Sequence, residues 1–233
     1  MSQNNDLVIS DRDLLEYAGA RVPVALCLDV SYSMAGSPVD ELNKGVAWLF
    51  DVLKEHPAAS ASAEVAIVAF ADRPGVILDY QSIERIGAPP KLSVGSSLGY
   101  ETDLGGGVAL ALDILDSRKE KYQLAGVDYF QPIMILMTDG RPTTKEHANS
   151  APRACQLEAA RKLVTLPIGI GPEADLSILA LFSQKNQPLR LKGLRFDDFF
   201  KWLSRLIVLI SQSRPGEKIE PDLEGIKGWA DFS

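Results

Sequence analysis

Asp29-Val30-Ser31-Tyr32-Ser33 puts a carboxylate and two hydroxyls at alternate positions within five residues. Oxygen side chains so closely spaced suit a hard divalent cation. Mg2+ takes about six oxygen ligands in near-octahedral geometry and keeps several waters. Two serine hydroxyls can bind such an ion directly, while Asp29 orients a water or binds from another side. A second carboxylate, Asp139, stands in Thr138-Asp139-Gly140. The plainer alternatives are that Asp29 caps the turn after it, that Ser31 and Ser33 are ordinary loop polar groups, and that Asp139-Gly140 is only a turn.

Both carboxylates follow apolar runs. Residues 22–28 (Val-Pro-Val-Ala-Leu-Cys-Leu) and 131–137 (Gln-Pro-Ile-Met-Ile-Leu-Met) are short, without helical period, and read as buried strands. Between them, Val39, Leu42, Val46, Leu49, Phe50 and Leu53 recur at helical spacing over Pro38–Lys54, with Pro38 in the first turn. Glu64–Phe70 and Gly75–Tyr80 read as two strands joined by the turn Asp72-Arg73-Pro74-Gly75, tight enough for antiparallel pairing. Further elements follow: a helix over Leu104–Leu115, a helix at about 152–164, a strand at Leu166–Ile170, a short helix at Asp175–Phe182, a short strand at Leu189–Leu191 and a closing helix over Phe196–Ser211. A short helix at Asp11–Tyr17 fits the lead-in.

Apolar strands alternating with helices predict an α/β fold, a doubly wound, mostly parallel six-stranded sheet with one short antiparallel edge strand and helices on both faces. For strand order 3-2-1-4-5-6, ligands bind where the order reverses, at the carboxyl ends of strands 1 and 4. With the edge strand counted third, strand 1 ends at Asp29 and strand 4 at Asp139, so the topology sets the two carboxylates side by side. Residues 1–20 read as a polar lead-in, 21–212 as one domain and 213–233 as a polar tail with a lone Trp229, expected to pack back on the domain.

Composition narrows the function. A net charge of -7, with no basic run longer than Arg118-Lys119-Glu120-Lys121, argues against nucleic acid as the main ligand. No stretch reaches the roughly 20 apolar residues of a membrane span. The N-terminus lacks the basic and apolar regions of a secretory signal, so a cytoplasmic location is expected. The two cysteines, Cys27 and Cys155, read as buried free thiols rather than a disulfide, and are too few for a zinc-thiolate site. Gly105-Gly106-Gly107 lacks the lysine and spacing of a phosphate loop and reads as close helix packing. Gly169-x-Gly171 lacks the rest of a dinucleotide fingerprint. With His56 and His147 as the only histidines and no Gly-x-Ser-x-Gly elbow, a serine hydrolase has no support.

Asp29-x-Ser31-x-Ser33, then Thr102 opening a Gly-rich helix, then Thr138-Asp139-Gly140 after an apolar strand resembles the metal-ion-dependent adhesion site (MIDAS) of von Willebrand factor A (VWA) domains, over roughly residues 20–210. Pro23–Asp29, Gly36-Ser37-Pro38 with Leu42-Asn43-x-Gly45, Met137–Thr143 and Phe196-x-x-Phe199-Phe200-x-Trp202-Leu203-Ser204 are similar to the bacterial tellurite-resistance (TerY-type) branch. That resemblance implies a metal set of Asp29, Ser31, Ser33, Thr102 and Asp139. It also implies Mg2+ as the ion, with Mn2+ or Ca2+ as substitutes, and a partner protein whose Glu or Asp completes the shell. The role it implies is non-enzymatic, in a cytosolic tellurite-resistance or stress-response system whose operons include kinases and phosphatases. Ser96, Ser97 and Asp103 lie close to Thr102 in sequence and are the alternatives to it as a ligand.

Tyr32 stands where the family commonly has Gly. It either projects beside the ion, where it would help choose the partner, or packs on its loop. Asp103 reads first as a helix N-cap; with Tyr32 and Arg141 it is also a candidate partner contact. Two rival functions remain: a metal-dependent hydrolase or phosphotransferase on the same fold class, and a scaffold with a vestigial metal site.

Overall fold

The structure, a computed structural model, describes residues 19–214, 217 and 225–232. The short helix expected at Asp11–Tyr17 lies outside them.

The described elements run β1 (Val22–Asp29), α1 (Ser37–Glu55), α2 (Pro57–Ser62), β2 (Ala63–Phe70), β3 (Pro74–Ser82), α3 (Leu104–Ala125), β4 (Ile133–Thr138), α4 (His147–Ala159), β5 (Val164–Ile170), α5 (Leu176–Leu179), β6 (Leu189–Leu191), α6 (Phe196–Gln212) and β7 (Ala230–Phe232). They form one sheet in the order β3-β2-β1-β4-β5-β6-β7. β2, β1, β4, β5 and β6 run parallel, and β3 lies antiparallel to β2. The reversal of strand order expected of a doubly wound sheet is therefore present, with β1 and β4 neighbours at the switch point.

Alternation along β1 divides the interior. Val22, Val24, Leu26 and Leu28 face a core shared with Leu42, Leu49 and Phe50 of α1 and Phe199, Phe200 and Leu203 of α6. Ala25 and Cys27 face the other side, against Val108, Leu112 and Leu115 of α3 and Ala154 of α4. With side chains pointing alternately to the two faces, an all-apolar strand can be buried on both. That is what residues 22–28 require.

Three details differ from expectation. The sheet has a seventh strand rather than six, antiparallel to β6 with Leu191 opposite Ala230, so both edges are antiparallel. β7 comes from the polar tail. Its approach is fixed by Trp229, buried to 4% exposure with ring centroids 5.6 Å from Phe199 and 5.9 Å from Trp202, and Lys192 N donates to Trp229 O at 2.9 Å. Second, α3 runs ten residues past Leu115, to a left-handed cap at Gly126 (φ 66°). Its basic run is partly turned inward: Arg118 Nε and Tyr122 OH both donate to the fully buried Glu64 of β2, at 2.7 and 2.6 Å. Third, the helix expected over 152–164 spans His147–Ala159, with Pro152 inside it rather than at its start, and Val164 already begins β5. Cys27 and Cys155 are free, Cys27 buried and Cys155 only half-buried. No helix among the described residues is long and apolar enough to cross a membrane.

Candidate metal centre

β1 carries Asp29 to the upper end of the sheet, where Asp29 lies opposite Phe70 of β2 and Leu28 opposite Met137 of β4. Its carboxylate is fully buried. Oδ1 accepts from Ser31 N at 2.8 Å, and Oδ2 accepts from Thr138 Oγ1 at 2.5 Å. Burial pushes the Asp29 carboxyl up to about 6, against the pull of the Ser31 and Thr138 hydrogen bonds and with a further push from Asp139.

After Asp29 the chain makes a single 3-10 turn, Tyr32–Met34, that Ser31 enters in extended conformation. The turn brings Ser31 Oγ within 3.1 Å of Ser33 Oγ, and Ser33 Oγ donates to Asp139 Oδ1 at 2.6 Å. Asp139 is half-buried, and burial raises its carboxyl above the usual range despite the Ser33 bond. Thr102, 5% exposed, arrives from a third segment. A Cβ built on Gly140 would stand 3.6 Å from Thr102 Oγ1 and 3.8 Å from Ser33 Oγ, so these two hydroxyls flank the same glycine. The segments bearing Thr102 and Asp139 are tied directly: Thr102 N donates to Thr143 Oγ1 at 3.2 Å, and Thr143 N to Thr102 O at 3.0 Å.

Asp29, Ser31, Ser33, Thr102 and Asp139 are thus brought to one end of the sheet. Their chemistry fits a hard cation: every donor is oxygen, and neither the buried Asp29 nor the half-buried Asp139 forms an ion pair among the described residues, so both carboxylates lack a counter-charge. Among the described residues no three His, Cys, Asp or Glu side chains gather into a metal-holding group. A cation here would depend on the hydroxyls.

The other candidates part ways. Asp103 caps α3: its carboxylate accepts from Gly106 N at 3.0 Å and from Thr144 Oγ1 at 2.8 Å. Tyr32 is exposed beside the two serines, and Arg141 is exposed two residues beyond Asp139. Ser96 and Ser97 stay in their own loop, where Ser97 O accepts from Arg73 Nε at 2.9 Å. Two of the three glycines of α3 serve close packing, since a Cβ on Gly105 would run into the His147 backbone and one on Gly107 would come 2.6 Å from the Phe70 ring, while Gly106 leaves room for the capping Asp103 carboxylate.

Two functional residues escape a reading of the sequence by ligand type. Thr138 fixes the Asp29 carboxylate, and its position at the end of an apolar strand was the available signal. Asp72 accepts from Tyr100 N and Glu101 N, at 2.6 and 2.5 Å, and so shapes the loop leading to Thr102. Nothing local to the Asp72 turn announces partners so distant in sequence.

No protein-family model matches the chain, and no curated protein matches it. Solved structures do. The fold is similar to proximal thread matrix protein 1 of the mussel byssus (19% identity, TM-score 0.57, 83% of this chain and 47% of that one). It is also similar to a von Willebrand factor type A protein from Catenulispora acidiphila (16%, 0.58, 82% and 43%) and to BatB from Bacteroides thetaiotaomicron (17%, 0.56, 82% and 100%). A second structure of the mussel protein has a zinc-occupied MIDAS motif (18%, 0.52, 83% and 46%). The chain spans about half the length of the mussel and Catenulispora proteins. It has an α/β fold of the VWA type.

Proposed function

We propose that this chain is a metal-dependent protein-binding module of the VWA kind. The observation that carries the reading is the meeting of Asp29, Ser31, Ser33, Thr102 and Asp139, from three separate segments, around uncompensated buried charge at the switch point of the sheet. In this reading the five residues hold Mg2+, with Mn2+ or Ca2+ as substitutes. The serine and threonine hydroxyls bind as neutral donors, and the carboxylates bind or orient water. Few anionic ligands leave the ion electrophilic, and an Asp or Glu of a partner protein completes its shell. Arg141 and Tyr32, exposed on two different segments of the site, touch that partner; Asp103 serves the site by holding the start of α3 to Thr144.

The module is a binder rather than an enzyme. Phosphoester turnover that disappears in Asp29→Ala would replace this reading with the hydrolase. The sequence likeness to TerY-type proteins supports a place in a bacterial tellurite-resistance or stress system, acting in the cytoplasm with a kinase, a phosphatase or another resistance protein as partner. Unchanged tellurite tolerance after deletion of the gene would remove that role and leave the metal reading intact.

The deciding experiment is titration calorimetry of metal-free protein with Mg2+ and Mn2+, run beside Asp29→Ala. Saturable binding of about one ion, lost in the variant, is expected. A wild type that binds neither ion, or a variant that binds like the wild type, overturns the assignment.

A further inference from the structure

At the end of the sheet away from the candidate metal residues, where β1 and β2 begin, a charged cluster is buried. Glu64 lies opposite Pro23 and turns its side chain toward α3. Its Oε2 accepts from Arg118 Nε at 2.7 Å and from Tyr122 OH at 2.6 Å. The Arg118 guanidinium stands 5.2 Å from the centroid of the Tyr122 ring. Arg21, buried just before β1, brings its Nε to 3.5 Å from Glu64 Oε1, an ion pair longer than a hydrogen bond. Its Nη1 donates to Ala61 O at 2.8 Å, its N to Asp128 O at 2.9 Å, and Phe130 N donates to Arg21 O at 2.8 Å. The cluster thus ties together the starts of β1 and β2, the approach to β4 and the last turns of α3.

Three polar atoms here are buried and meet no hydrogen-bond partner among the described residues: Glu64 Oε1, Arg118 Nη2 and Tyr80 OH. The first two belong to one hydrogen-bonded pair. Tyr80 comes from β3, two residues before Ser82, which lies opposite Glu64. Its ring joins the core between the sheet and α3, with Ala66 of β2 and Leu115 of α3. Burial and the charges of Asp79 and Glu64 push its phenol up while Arg118 pulls it down, so the hydroxyl lies within the field of both members of the pair. A buried polar atom without a partner forfeits the hydrogen bond that it makes to solvent in the unfolded chain, and native proteins seldom gather three of them.

The chemistry of the three atoms decides what can stand among them. Arg118 Nη2 only donates, and the ionised Glu64 only accepts. One occupant must therefore accept from the first and donate to the second. A halide cannot donate and would face the Glu64 carboxylate. A metal cation cannot accept a hydrogen bond and would face two guanidinium groups. The Tyr80 hydroxyl has both capacities yet bonds to neither atom, so it stands beyond direct reach of them. Water has both capacities, and a buried water typically makes about three hydrogen bonds to groups of this kind.

We propose that one water molecule is bound in this cluster as a structural ligand, accepting from Arg118 Nη2, donating to Glu64 Oε1 and bonding to Tyr80 OH. Through it β3 is joined to β2 and α3 at the base of the sheet. The inference is independent of the metal reading, which concerns the other end.

The test pairs a crystal structure of the full chain, at a resolution that shows ordered water, with a bromide-soaked crystal and with melting curves of wild type and Tyr80→Phe. Density within hydrogen-bond distance of all three atoms is expected, with no anomalous bromide peak there. Tyr80→Phe should melt about 2–4 °C lower, because it takes one partner from the water. A Tyr80→Phe protein that melts at or above the wild-type temperature shows the hydroxyl to be an unpaired burden and overturns the bridge. Missing density, or density bonded to fewer than the three atoms, overturns it too. A bromide peak replaces the water with an anion.

Discussion

At the scale of single residues, the site turns on how Asp29 is kept charged where burial opposes charge. Thr138 Oγ1 is the donor that satisfies Oδ2. Thr138→Val keeps the shape and removes the hydroxyl, leaving a buried acceptor unmet. Urea denaturation should show a loss of about 1–3 kcal/mol, and calorimetry a weaker affinity for Mg2+. The same burial sets a pH dependence. A carboxyl whose folded value, about 6, lies above its unfolded value of 3.8 binds its proton more readily in the folded state. The stability it confers is greatest at low pH and is lost as pH rises through 6. Metal-free protein should therefore gain about 1 kcal/mol from this group between pH 7 and pH 5. Saturating Mg2+ should abolish the gain, because the ion holds the carboxylate ionised. Denaturation curves at the two pH values, with and without Mg2+, check both statements.

At the scale of elements, what was legible in the sequence was whatever local pattern determines. Asp29 and Asp139 could be found because each stands where a wholly apolar strand stops, and the strand order then followed from the alternation of strands and helices. What was hidden depends on distant contacts. The last turns of α3 look like a solvated basic face, and only Glu64, far away on β2, explains why Arg118 is 3% exposed. β7 has three residues and no apolar run, so pairing with β6 and the Trp229 contacts define it. The capping role of Asp103 was readable from its place before α3, whereas the reach of Asp72 to Tyr100 was not. The glycines of α3 give a prediction whose sign departs from the usual one. Gly→Ala inside a helix normally adds up to about 1 kcal/mol, but Gly107→Ala drives a methyl into Phe70 and should cost about 1–3 kcal/mol by thermal denaturation. Trp229→Ala should cost about 3 kcal/mol by removing the rings' contacts with Phe199 and Trp202.

At the scale of the whole molecule, an ion held in the proposed site would add RT ln(1 + [L]/Kd) to stability, about 2.7 kcal/mol at a hundredfold excess over Kd. A melting temperature that rises with Mg2+ in wild type and stays flat in Asp29→Ala is the corresponding outcome. The site also straddles a seam. Asp29, Ser31 and Ser33 belong to the β1–β3 half of the sheet and Asp139 to the β4–β7 half, and among the described residues the β1–β4 pairing is the strand contact that joins the halves. Neither half can assemble the donor set alone, so an ion would be captured only after the two have closed on each other. The site then acts as a latch set at the end of folding. Stopped-flow measurements should find the refolding rate indifferent to Mg2+, while the unfolding rate slows by nearly the whole of the added stability.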